Sequence, residues 1–78
     1  MPELLLGLDV GTTNVKAVVA TPDGAVVARA QAGYPTRFPK PGWAEQDPED
    51  WWRAAVEVTR AVLTHPSVHP EAVTGIGV

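Results

Sequence analysis

The sequence predicts an α/β domain in which three antiparallel strands are followed by a crossover helix and a fourth strand running parallel to another. Three observations carry this expectation. Apolar or β-branched runs recur between short turn signals over residues 4–31. A helical stripe of apolar residues then follows a proline-rich stretch, and a last apolar run follows the helix. A chain of 78 residues has room for one such unit.

Leu4 to Val10 is an unbroken apolar run until Asp9, the pattern of a strand covered on both faces. Gly11-Thr12-Thr13-Asn14 tolerates turn geometry, and Val15 to Thr21 is rich in β-branched residues, so the two runs predict a hairpin. Thr21-Pro22-Asp23-Gly24 predicts a second turn, with proline supplying a fixed φ and glycine a positive one. Ala25 to Gln31 alternates and predicts a strand with one wet side, Val27, Arg29 and Gln31 opposite Val26, Ala28 and Ala30. From Ala32 to Asp47 the prolines and glycines exclude helix and ladder, and Tyr34, Phe38 and Trp43 are expected to anchor the loop. Asp47 is placed to cap a helix that begins with Pro48 and runs to about Thr64. Its expected core stripe is Trp52, Ala55, Val56, Thr59, Val62 and Leu63, with Arg53, Glu57 and Arg60 facing water. Pro66 and Pro70 end it, and Val73 to Val78 predicts the fourth strand. Because the sequence stops inside that strand, residues 1–78 are expected to be the first part of a longer protein.

Composition excludes several function classes. Six basic residues stand against nine acidic ones, for a net charge of −3, and four of the acids cluster between Glu45 and Asp50. That balance argues against nucleic acid or an anionic membrane as partner. Without cysteine there is no disulfide or thiolate chemistry, and no run resembles a signal peptide or membrane span, so the expected location is cytoplasmic.

The segment able to carry chemistry is Asp9-Val10-Gly11-Thr12-Thr13-Asn14-Val15-Lys16. A carboxylate ends one strand, a glycine and three small polar residues turn the chain, and a lysine sits early in the next strand. Phosphate needs convergent donors, which the amides from Gly11 onward, the Thr12 and Thr13 hydroxyls, the Asn14 amide and Lys16 can supply. Asp9 would repel a bare phosphate, so its presence makes sense if Mg²⁺ lies between carboxylate and phosphate oxygens. Turn chemistry alone also accounts for these residues, with Asp9 a locally bonded strand-end acid. Neither a P-loop nor a dinucleotide fingerprint is present.

The pattern D-x-G-T-T-x-x-K after an apolar strand, followed by V-x-x-x-P-D-G, resembles the first phosphate-binding hairpin of the FGGY family of carbohydrate kinases. Pro41-Gly42-Trp43-Ala44-Glu45-Gln46-Asp47-Pro48-Glu49-Asp50-Trp51-Trp52 resembles the corresponding segment of xylulokinases within that family, and Val73 to Val78 looks like the strand that leads to the sugar-binding residues. Gluconate, ribulose and glycerol kinases share much of this pattern. The resemblance implies a ribonuclease-H-like, actin-like ATPase lobe and transfer of the γ-phosphoryl of ATP, with Mg²⁺, to a small sugar, D-xylulose first among the candidates. It implies that Asp9 acts near the metal and the transferred phosphoryl, and that Gly11, Thr12, Thr13, Asn14 and Lys16 bind the β- and γ-phosphates. A homodimer of the full-length chain is compatible with it. The residues gripping the sugar and the aspartate base are expected beyond Val78, so this segment alone should be inactive. The rival from another class is a non-catalytic actin-like binding module.

The remaining polar and aromatic residues read as structural. Trp43, Trp51 and Trp52 fit packing better than a sugar platform. Asp47 is a cap, which leaves Glu45 without an acid–base partner. The acidic run is expected to be a solvated helix entrance, and His65 and His69, each beside a proline, belong to an exposed connector.

Overall fold

The computed structural model describes residues 3–35 and 47–78. Phe38, Trp43 and Glu45 therefore lie outside the described residues, as does the first half of the xylulokinase-like segment, residues 41–46. Four strands, β1 (Leu4–Val10), β2 (Asn14–Ala20), β3 (Val26–Gly33) and β4 (Val73–Gly77), form one sheet in the order β3-β2-β1-β4. The first three are antiparallel in sequence, and β4 runs parallel to β1 after a crossover through the helix α1 (Pro48–Leu63). This is the expected topology.

The turns follow their residues. Between β2 and β3 the Gly24 amide donates to the Thr21 carbonyl at 2.9 Å, and Gly24 holds φ of 95°, which a side chain would oppose. The Thr21 hydroxyl donates to the Asp23 carboxylate, a bond that lowers the Asp23 pKa. Beyond the expected end at Gln31, β3 continues to Gly33, keeping Ala28, Ala30 and Ala32 on the covered face. A short 3-10 turn at Pro70–Ala72 delivers the chain to β4, and the Thr74 hydroxyl reaches the Glu3 carboxylate at 2.6 Å.

Asp47 caps α1 as expected: its Oδ1 accepts from the Glu49 amide at 2.9 Å, with Pro48 in the first turn. At the other end the Thr64 hydroxyl donates to the Arg60 carbonyl at 2.8 Å. The buried stripe departs from expectation. Asp50, Ala54, Val58 and Val62, spaced every four residues, face the core, while Trp52 is 69% exposed. The reason is where the helix lies. It crosses β2 and β3, which present Ala17, Val19 and Ala28, and only its flank approaches β1. A narrow ridge of small residues fits that surface, whereas Trp52, Val56 and Thr59 border a groove of about 400 Å³ with Leu6, Leu8 and Ile76.

Two further expectations are corrected. Asp50 is buried, not solvated, and its carboxylate pairs with Arg53 at 3.1 Å within the first turn, where the helix dipole also favours a negative charge. Strand β1 is covered on one face among the described residues: Leu4 and Leu6 are buried, but Leu5 and Gly7 are exposed, because α1 lies on a single side of the sheet. Among the described residues no helix is long and apolar enough to cross a membrane.

The corrected stripe is testable by urea denaturation. Val58, 1% exposed, should cost about 2 kcal/mol when cut to alanine. Trp52→Ala, although it removes a far larger side chain, should cost less; the reverse ranking would restore the sequence-derived stripe.

Candidate functional site

Strand alternation sorts the candidate residues. On β1 the side chains of Leu4, Leu6 and Leu8 face α1, so Leu5, Gly7 and Asp9 face the opposite side. On β2 the buried residues are Val15, Ala17 and Val19, so Lys16 and Val18 share the face of Asp9. The register places Asp9 directly opposite Lys16 and Gly7 opposite Val18. The acid and the base that sequence reasoning separated by seven positions thus stand side by side on the uncovered face, at the end of the hairpin.

Between them the turn is closed by its own backbone. The Gly11 amide donates to the Asn14 carbonyl at 2.8 Å. Gly11, Thr12 and Thr13 are exposed, and Asn14, the first residue of β2, is half-buried. A side chain at Gly11 would bring its Cβ within 3.1 Å of the Asn14 carbonyl oxygen, so the glycine serves close backbone approach at a negative φ. All six candidates, Asp9, Gly11, Thr12, Thr13, Asn14 and Lys16, are therefore brought to one rim.

Two neighbours escaped the sequence reading. Gly7 on β1 and Gly77 on β4 are register partners and, with Asp9, Lys16 and Val18, line a shallow depression of about 420 Å³. A Cβ on either glycine would meet nothing within 4 Å among the described residues. Tyr34 was read only as a loop anchor. Its hydroxyl donates to the Gly11 carbonyl and lies 3.2 Å from the Asn14 carbonyl, and its amide donates to the Thr13 carbonyl at 3.1 Å. The signal was available: Tyr34 extends the Ala28, Ala30, Ala32 alternation by one more step onto the covered face.

Chemically the rim offers hydroxyls, backbone amides and one cation beside one carboxylate, a donor set suited to an anion carrying its own metal. No group of three metal-ligating side chains occurs among the described residues. Mg²⁺ does not require one, since it retains waters and is commonly shared between a single carboxylate and phosphate oxygens. Asp9, exposed at the rim, fits that role. The histidines do not form a site: His65 Nδ1 accepts from the Ser67 amide at 3.1 Å within its own turn.

Comparison with known proteins places these features in context. Residues 4–78 match the model of the FGGY family of carbohydrate kinases, N-terminal domain. The glycerol kinase of Methylobacterium nodulans is 40% identical over 78 residues, which cover 100% of this chain and 16% of that enzyme. The gluconate kinase of Lactobacillus acidophilus superposes with a TM-score of 0.81 at 30% identity, covering 99% of this chain and 16% of the other. The xylulose kinase of Rhodospirillum rubrum gives 0.79 at 31% identity, covering 96% and 16%. The chain thus spans about 16% of the length of these relatives.

The tightness of the turn predicts the outcome of Gly11→Ala. Because the Asn14 carbonyl is already engaged by the Gly11 amide and by Tyr34, it cannot retreat freely, and the substitution should destabilise the hairpin by about 1 kcal/mol. Amide exchange at positions 11–14 should quicken; unchanged exchange would mean that the turn has room for a methyl group.

Proposed function

The chain belongs to the FGGY family of carbohydrate kinases, and from that premise we propose that residues 1–78 are the N-terminal part of the first domain of an enzyme that transfers the γ-phosphoryl group of ATP to a sugar hydroxyl. The observation that carries this reading is the placement of Asp9 opposite Lys16 on the uncovered face, with the Gly11–Asn14 turn between them.

In this reading Lys16 neutralises charge on the β- and γ-phosphates, and Thr12, Thr13 and Asn14 hold their oxygens through amides and hydroxyls. Gly11, expected as a phosphate ligand, has its amide engaged by the Asn14 carbonyl and serves the site by closing the turn. Asp9 would hold Mg²⁺, which when bound with ATP would offset negative charge on the phosphates. Phosphoryl transfer needs little covalent help from a protein, so rate comes from alignment and from charge already in place. The hairpin's share is to fix the donor phosphate. Deprotonation of the acceptor and grip on the sugar fall to residues beyond Val78, in the remainder of a protein several times longer.

D-xylulose is the acceptor we favour, on the likeness of Pro41 to Trp52 to the xylulokinase segment. Relatives named for glycerol and gluconate support the broader class, a small polyhydroxylated acceptor. The enzyme would work in the cytoplasm, where its nucleotide is found.

Two substitutions in the full-length protein test the assignment. Asp9→Asn preserves shape and removes the charge that balances metal and phosphate, and it should lower kcat by about 10²–10³. A near-normal kcat in a coupled assay would remove Asp9 from the site. Lys16→Ala should raise the KM for MgATP about tenfold while calorimetry finds acceptor affinity without nucleotide unchanged. If acceptor binding is lost instead, the hairpin does not serve the nucleotide.

A further inference from the structure

We propose that Tyr34 is a positioning residue for the phosphate turn, fastening it from the core side so that its donors are preset for MgATP; this rests on the nucleotide reading of the hairpin. The side chain is only 8% exposed and belongs to the hydrophobic cluster under the sheet. Its hydroxyl nevertheless ends at the backbone of the turn, donating to the Gly11 carbonyl with the Asn14 carbonyl 3.2 Å away. One residue's amide and hydroxyl together engage the carbonyls of Gly11, Thr13 and Asn14, three of the four residues in the turn.

Those carbonyls matter because a phosphate site must present amides and hydroxyls while keeping carbonyl oxygens away from the anion. A turn rich in glycine and small polar residues has many alternative conformations, several of which would direct an oxygen toward the ligand. Engaging these carbonyls selects the conformers that leave donors for the phosphates. Tyrosine suits the task, since its rigid ring loses little freedom and its hydroxyl lies at a fixed distance from a buried anchor. The ring is itself braced by Trp51 of α1, edge to face, with centroids 6.4 Å apart and planes at 62°. Through Tyr34 the brace links the helix to a turn that lies 20 to 23 positions before that tyrosine in sequence. A residue needed only to fill the core would have no use for the hydroxyl, and phenylalanine would serve as well.

The test is Tyr34→Phe in the full-length protein, which keeps the ring and deletes the fastening. Assays run below the variant's melting midpoint, where its circular dichroism matches the parent. The KM for MgATP should rise about five- to tenfold, the loss expected for one hydrogen bond, while the KM for the sugar stays within twofold. Amide exchange across residues 11–14 should accelerate, with α1 unchanged. A folded variant with parental MgATP KM and parental exchange overturns the proposal. Lys16→Ala, assayed alongside, separates the two levels of inference. If it raises the MgATP KM and Tyr34→Phe does not, only the fastening fails; if Lys16→Ala has no effect, the nucleotide reading fails and takes the fastening with it.

Discussion

The antiparallel register of β1 and β2 is the constraint on which the rest depends. Val15, Ala17 and Val19 are fully buried against α1 and the sheet, and Leu4 and Leu6 nearly so. Because side chains alternate with a period of two, slipping either strand by one residue would turn this apolar set to water and carry Asp9 or Lys16 into the core. The energy that fixes the register is hydrophobic and lies on one face; what it determines is polar and lies on the other. Asp9 and Lys16 face one another without contributing to the packing that puts them there.

Much of this was legible in the sequence because it depends on local rules. The hairpin, the Gly24 turn, the Asp47 cap and the crossover to β4 each follow from residue types at fixed offsets, and each is present. The Asp9-to-Lys16 motif was found the same way, since glycine between small polar residues after an apolar strand is a short-range signal. What failed was long-range. A helical wheel alone cannot say which flank meets a sheet, and Trp52, the largest apolar residue available, drew the predicted stripe toward itself. The structure seats α1 on β2 and β3 through Ala54 and Val58, because small residues allow close approach to the alanines beneath. Asp50 likewise looked solvated until the helix orientation buried it, paired with an exposed Arg53.

The two faces of the sheet also differ in what their residues require. On the covered face the buried residues pack against one another. On the other, Gly7 sits in the interior of β1 at a cost of roughly 0.5–1 kcal/mol relative to alanine and Gly77 ends β4, with nothing among the described residues that a methyl group at either would strike. Gly75 differs, since Leu5 comes within 3.3 Å of where its Cβ would be. Glycine is favoured in a strand where another backbone or a ligand approaches closely. Gly7 and Gly77 floor the depression edged by Asp9 and Lys16, whereas the groove beside Trp52 has side-chain walls.

Tyr34 joins these halves. Its neighbours in sequence belong to the end of β3, its ring belongs to the core, and its hydroxyl belongs to the turn. A change in how α1 packs against β3 would move the ring through Trp51, and the ring would move the Gly11 carbonyl. Core packing and site geometry are then coupled through one hydroxyl, so a substitution far from the rim, at Ala54 for example, can disturb the turn without touching any residue that contacts a ligand. This is the reason to read amide exchange in the turn as well as turnover when core variants are examined. Destabilisation lowers the amount of folded protein, whereas displacement of Tyr34 changes the conformers of a turn that is still folded, and only the second alters exchange at residues 11–14 while leaving α1 protected.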